Sequence, residues 1–235
     1  MKSKAIYWTS GIAVVALILL IYWGVSGSNR NTGVQTDHTE AGASAEENLS
    51  SYMNEENELM NKMMQDMEDV KPTGSADLDF LTGMIPHHQA AVSMSESYLK
   101  YGGSDDELRQ LAENIIQVQK QEIQQMQTMI DDIKKQGTQN SEHEQAYLNA
   151  YEKMLSAHHA DHSAHKTPGN VDAAFTEGMI MHHQMAVEMA QAVIGNADEE
   201  QVTTLAENII EAQKTEISQM QEILNRVSAS NGAHH

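Results

Sequence analysis

The sequence contains no cysteine. That excludes disulfides and attachment to a membrane through a lipid-modified cysteine. Basic residues are scarce, with 14 Lys+Arg against 34 Asp+Glu and a net charge of -20. Nucleic acid is therefore not expected as a partner, because it needs a basic footprint. The acidic excess attracts cations only weakly and serves mainly as a solvated exterior. Proline occurs only at 72, 86 and 168, so the chain reads as helical from Leu49 onward. Glu-x-x-His and His-Glu-x-x-His are both absent. Di-iron carboxylate bundles need several interior glutamates and Glu-x-x-His pairs, so a di-metal oxidase is the weaker alternative.

Against these absences stand 16 methionines and 12 histidines. Thioethers bind soft metals without deprotonation and without forming disulfides, although methionine is also a common core filler. Residues 5–25 are nearly all apolar, about the ~20 residues that span a bilayer. Tyr7 and Trp8 mark one end, Tyr22 and Trp23 the other, and Lys2 and Lys4 precede the run. The pattern predicts a single-pass anchor at 1–25, with the remainder on the extracytoplasmic side, periplasmic or extracellular. The alternative is a cleaved signal peptide, which the length of the run and the lack of a small-x-small site disfavour. Residues 26–45, rich in Gly, Ser, Thr, Asn and Ala, read as a flexible tether.

One motif occurs twice, as Gly83-Met84-Ile85-Pro86-His87-His88-Gln89 and as Gly178-Met179-Ile180-Met181-His182-His183-Gln184, at an offset of 95. The repeat is longer than the motif. Tyr52, Asp66, Asp77 and Phe80 match Tyr147, Asp161, Asp172 and Phe175. Further on, Leu111-Ala112-Glu113-Asn114-Ile115-Ile116 matches Leu205-Ala206-Glu207-Asn208-Ile209-Ile210 at an offset shorter by one. The chain thus divides into a first helical repeat at 46–138, a second at 139–228 and a tail at 229–235. Each repeat has three predicted helices: a (47–70 and 142–160), b (78–101 and 172–194) and c (105–135 and 198–227). Asp77 and Asp172 are the expected N-caps of the b helices, with Gly102-Gly103 and Gly195-Asn196 as stops. Pro86 is expected to kink the first b helix.

On a helical wheel both histidines of each motif fall on the apolar stripe of helix b. Phe80, Met84, His87, His88, Met94 and Tyr98 share one face, as do Phe175, Met179, His182, His183 and Met189. Met185 adjoins the second motif. Helix c carries Met126 in the first repeat and Met220 in the second, and its stripe is interrupted by Gln119 and Glu122, then by Gln213 and Glu216. A buried carboxylate is costly unless paired, and the b-helix imidazoles are the natural partners. Either these pairs hold the bundle in register, or Met and His ligate a metal while Glu122 and Glu216 orient the imidazoles. Soft sulfur with borderline nitrogen suits Cu(I), Ag(I) and Cu(II). Helix a adds Met60, Met63, Met64 and Met67 in the first repeat, replaced in the second by His158, His159, His162 and His165. Those are either further ligands, or packing and solvated surface.

The pattern Asp-x-x-Phe-x-x-x-Met-x-x-His-His-Gln-x-x-x-x-Met, followed by Ala-Glu-x-Ile-x-x-x-Gln-x-x-Glu-Ile-x-x-Met, resembles the exported, His/Met-rich family typified by the CopM copper-binding proteins. The resemblance covers about residues 50–228. It implies an all-α, ferritin-like bundle, export, and copper or silver binding linked to metal tolerance. By motif match it nominates Met84, His87, His88, Met94, Gln119, Glu122 and Met126 with their second-repeat counterparts. Pro86 occurs only in the first copy. The expected architecture is a four-helix core of the b and c helices with the a helices outside. The expected function is binding and buffering of Cu(I), Cu(II) or Ag(I), without catalysis, with transfer of the metal to a partner protein left open. A ferritin-like di-metal oxidase and a structural or partner-binding bundle are the alternatives.

Overall fold

The computed structural model describes residues 38–161 and 168–231. Among them are six helices and no strand: α1 (His38–Glu68), α2 (Ala76–Tyr101), α3 (Asp106–Gln136), α4 (Ser141–Asp161), α5 (Val171–Ile194) and α6 (Glu200–Asn231). They match the a, b and c segments of the two repeats in order. Helix α1 begins inside the stretch read as a tether. No helix among the described residues is long and apolar enough to cross a membrane. The apolar run at 5–25, together with His162 and His165, lies outside the described residues.

The helix ends follow local chemistry, with one correction to the sequence reading. The N-caps of α2 and α5 are Ser75 and Asn170, not Asp77 and Asp172. Asn170 Oδ1 accepts from the Ala173 amide at 2.8 Å. Asp77 and Asp172 lie in the first turn, where a carboxylate favours the helix dipole, and they bond to the other repeat. Asp172 accepts from Tyr98 Oη at 2.7 Å, from Ser104 Oγ at 2.8 Å and from the Ser104 amide at 3.0 Å. Asp77 accepts from the amides of Asp198 and Glu199 at 3.0 and 3.2 Å. Gly102 closes α2 in the left-handed region at φ 80°, which a residue without Cβ adopts freely. Gly195, by contrast, stays right-handed at φ -83°. Helix α2 runs unbroken through Pro86.

The same carboxylates define the topology. The start of α2 is tied to the α5–α6 connection and the start of α5 to the α2–α3 connection. Helices α2 and α5 are therefore antiparallel, and the two repeats exchange equivalent bonds about a pseudo-two-fold axis. Helix α3 packs on α2 and α6 on α5, while α3 and α6 touch each other little. Helices α1 and α4 each pack against both α2 and α5. The a helices are thus part of the core and not an outer layer. Tyr52, Met63 and Met67 of α1, and Tyr147 and Tyr151 of α4, are buried in the same apolar cluster as Phe80 and Phe175.

Candidate metal centre

The paired histidines sit at mid-helix on α2 and α5, where the two antiparallel helices cross the pseudo-two-fold axis. Their backbone phase turns both rings inward, and all four are fully buried. His87 Nε2 lies 3.1 Å from the His182 carbonyl oxygen, and His182 Nε2 lies 3.0 Å from the His87 carbonyl oxygen. A carbonyl only accepts, so each Nε2 carries the proton and donates. The two rings lie against each other, with centroids 3.8 Å apart. The outer pair turns to the c helices: His88 Nε2 is 2.9 Å from Glu122 Oε2, and His183 Nε2 is 2.7 Å from Glu216 Oε2. The centroids of His88 and His183 lie 6.1 and 5.9 Å from those of His87 and His182, so the four imidazoles form one continuous cluster.

The Nδ1 atoms of His87, His88, His182 and His183 are all buried and lack a hydrogen-bond partner. Burial, then the neighbouring imidazoles, push the His87 and His182 rings well below the ordinary histidine range. They are therefore neutral, and with Nε2 protonated each Nδ1 presents an uncommitted lone pair. Buried polar atoms without partners are uncommon, and a neutral imidazole with one nitrogen anchored and the other free is the form that ligates metals.

The surroundings are thioether-rich. Met84, Met94 and Met126 of the first repeat and Met179, Met185, Met189 and Met220 of the second are all buried. Gly83 and Gly178 each face a methionine of the opposite b helix. A Cβ at Gly178 would lie 3.5 Å from Met94 Cε, and one at Gly83 would lie 3.7 Å from Met189 Cε. Each repeat thus sends a methionine across to the other's motif. Gln119 and Gln213 are buried with their Oε1 atoms unpartnered.

The remaining nominated residues belong to α1, to α4 and to the segment after α4. Met60, Met63, Met64 and Met67 are buried on α1. His158 is partly exposed on α4, with Nε2 3.2 Å from Glu188 Oε2. His159 falls in α4, but its side chain lies outside the described residues, as do His162 and His165. Among the described residues no three His, Asp or Glu side chains converge as a ready-made ligand set.

Some interior polar residues were missed. Glu56 lies against Gly178, where an added methyl would overlap its Oε1. Burial, and to a lesser degree the charge of Glu177, push its carboxyl up to about 8. Its signal was present: Tyr52, Glu56, Met60, Met63 and Met67 recur at steps of four and three along one stripe. Its repeat counterpart is Tyr151, which packs against Gly83 and donates to the Met67 carbonyl at 3.1 Å.

The model of the family described as "Domain of unknown function (DUF305)" matches residues 28–130 and again 77–224. The chain belongs to the DUF305 family. Its two copies match the repeat that the helices and the reciprocal hydrogen bonds display. Among curated proteins, this DUF305 chain is 40% identical to "Uncharacterized protein L153" of Acanthamoeba polyphaga mimivirus over 60 residues, or 26% of this chain. The chain spans only 39% of that relative's length. Solved structures of CopM in an Ag-bound form and in the Cu(II)-bound form are each 32% identical in sequence. The match covers 64% of this DUF305 chain and 95% and 97% of those chains, at a TM-score of 0.47. CopM in the Cu(I)-bound form matches at 31% identity and the same TM-score.

Proposed function

We propose that this chain binds and buffers Cu(I), Cu(II) or Ag(I) outside the cytoplasm, without catalysis, through the Met and His of a duplicated, ferritin-like bundle anchored by residues 5–25. The observation that carries the reading is the set of four buried Nδ1 atoms with no protein partner, in a core rich in buried methionine. Thioether with neutral imidazole is a donor set for Cu(I) and Ag(I), and imidazole extends it to Cu(II). The sequence relationship to CopM, whose structures carry those metals, supports the same cargo. Glu122 and Glu216 would hold the His88 and His183 rings in the ligating tautomer.

The second reading is a structural bundle in which the His–Glu pairs fix register. It is favoured by the absence, among the described residues, of a preformed three-donor group. Copper titration of the full chain, followed by native mass spectrometry and by competition with a Cu(I) chelator, separates the two. Changing His87, His88, His182 and His183 together to Ala is expected to remove most of the tight copper capacity. Met84→Leu with Met179→Leu deletes sulfur at nearly constant volume and is expected to weaken Cu(I) more than Cu(II). Unchanged stoichiometry in the histidine variant, with its helical content retained, would establish the structural reading.

A further inference from the structure

The two glycines of the b helices are covered differently. Gly83 is buried against Tyr151, which is itself buried and donates to the Met67 carbonyl at 3.1 Å. Gly178 is partly exposed, and so are Glu56 and Glu177 beside it. The repeat counterparts of Glu56 and Glu177 are Tyr151 and Thr82, so the carboxyl groups stand on one side only. Glu56 Oε1 rests so closely on Gly178 that an added Cβ would overlap it, and it is buried without a hydrogen-bond partner. The Met94 methyl borders the same spot, 3.5 Å from that Cβ position, and Met94 is fully buried. Met179 is the next residue, and His182 follows one turn further along α5.

Packing does not require a carboxyl at this place, since the other repeat fills it with a phenol. A buried carboxyl oxygen without a partner is costly. Its neighbours form a graded series of donors. Carboxylate oxygen is hard and holds a soft ion loosely, the thioether next to it holds such an ion better, and the imidazoles lie beyond. A donor at an entrance has to attract the ion and also let it go, as a carboxylate does for Cu(I) or Ag(I). Two carboxyl groups at the lip also draw cations toward it.

We propose that soft cations enter and leave the imidazole cluster on this side, taken up by the Glu56 carboxylate and passed across Gly178 to the Met94 sulfur, while Tyr151 shuts the Gly83 side. This entrance presupposes the copper and silver reading of the cluster. Glu56 is then a residue of the path and not a ligand of the resting ion. In the metal-free chain burial keeps a proton on Glu56 up to about 8. The incoming ion takes the place of that proton, which leaves to solvent.

A path changes the barrier and leaves both end states alone, so uptake and release slow by one factor and Kd is unchanged. The test uses the full chain, anaerobically at pH 8, with stopped-flow transfer of Cu(I) from a chromogenic chelator and back to an excess of it. Glu56→Gln keeps the volume and loses the anionic form. It is expected to slow both directions by about tenfold or more and to leave Kd and capacity unchanged. Glu56→Tyr installs the side chain that the other repeat places against its glycine, and is expected to slow both directions at least as much. Unaltered rates in a folded Glu56→Gln would overturn the proposal. So would a weaker Kd with unaltered uptake, which would make Glu56 a ligand. Either result, with tight Cu(I) binding in the wild type, removes the entrance alone. A wild type that takes up no Cu(I) tightly removes the copper reading and the entrance together.

Discussion

His87 and His88 are neighbours in the chain, but their Nε2 protons go to different acceptors: a backbone carbonyl of the opposite repeat for His87, a carboxylate of the same repeat for His88. The carbonyl holds its ring without changing charge. The carboxylate raises the basicity of the imidazole it holds, and such partners typically contribute about 10–100-fold to metal affinity. Glu122→Gln keeps an oxygen acceptor within reach of His88 and removes the charge. We expect it to leave thermal stability nearly unchanged and to weaken copper by about tenfold, read by competition with a chelator. Glu122→Ala leaves His88 Nε2 buried without an acceptor, and we expect it also to lose about 1–3 kcal/mol of stability. Equal copper affinity in wild type and both variants would mean that His88 does not reach the metal.

Between helices, Asp172 does more than start α5. It collects Tyr98 Oη and both donors of Ser104 from the first repeat, whereas Asn170 closes only its own first turn. A lost cap costs about 1 kcal/mol, while hydrogen bonds to a charged acceptor are worth about 1.5–3 kcal/mol each. Asp172→Ala is therefore expected to destabilise more than Asn170→Ala in urea unfolding, and the reverse order would restore Asp172 as the cap. The sequence could not show this, because an Asp two residues into a helix looks like a cap unless its distant partner is known. Local periodicity did locate α2, α3, α5 and α6 and the inward phase of His87, His88, His182 and His183. The His88–Glu122 pairing was legible too, since a carboxylate on an apolar stripe needs a partner. The His87–His182 exchange was not, because both partners belong to equivalent motifs and no local pattern says that the motifs meet. Helix α1 was placed outside for a related reason. Its stripe of Tyr52, Met60, Met63 and Met67 marks a buried face, but a local stripe does not say which helices it packs against.

Across the whole molecule, the apo protein holds groups of opposite pH response in one core. Burial keeps His87 and His182 neutral below their ordinary value of 6.5. The unfolded chain takes up those protons first, so their contribution is intact above about 6.5 and is lost as pH falls below it. Glu56 has the reverse sign. Its folded carboxyl holds a proton up to about 8, against 4.5 for the ordinary group. The unfolded chain therefore releases that proton first, and stability falls as pH rises from about 4.5 to about 8. Between pH 6.5 and 8 each of the two histidines is at most about half protonated in the unfolded chain, and the opposing change at Glu56 outweighs them, with a slope of at most about 1.4 kcal/mol per pH unit for one proton. Metal-free protein is expected to unfold at lower urea at pH 8 than at pH 6.5. Glu56→Gln mimics the protonated carboxyl at the same volume, and is expected to flatten that difference and to be the more stable chain at pH 8. A wild-type midpoint that is flat or rises from pH 6.5 to 8 would show that Glu56 ionises in place, beside Gly178 and the Met94 methyl. The contact between α1 and the opposite repeat would then hold a carboxylate in the core without help from protonation.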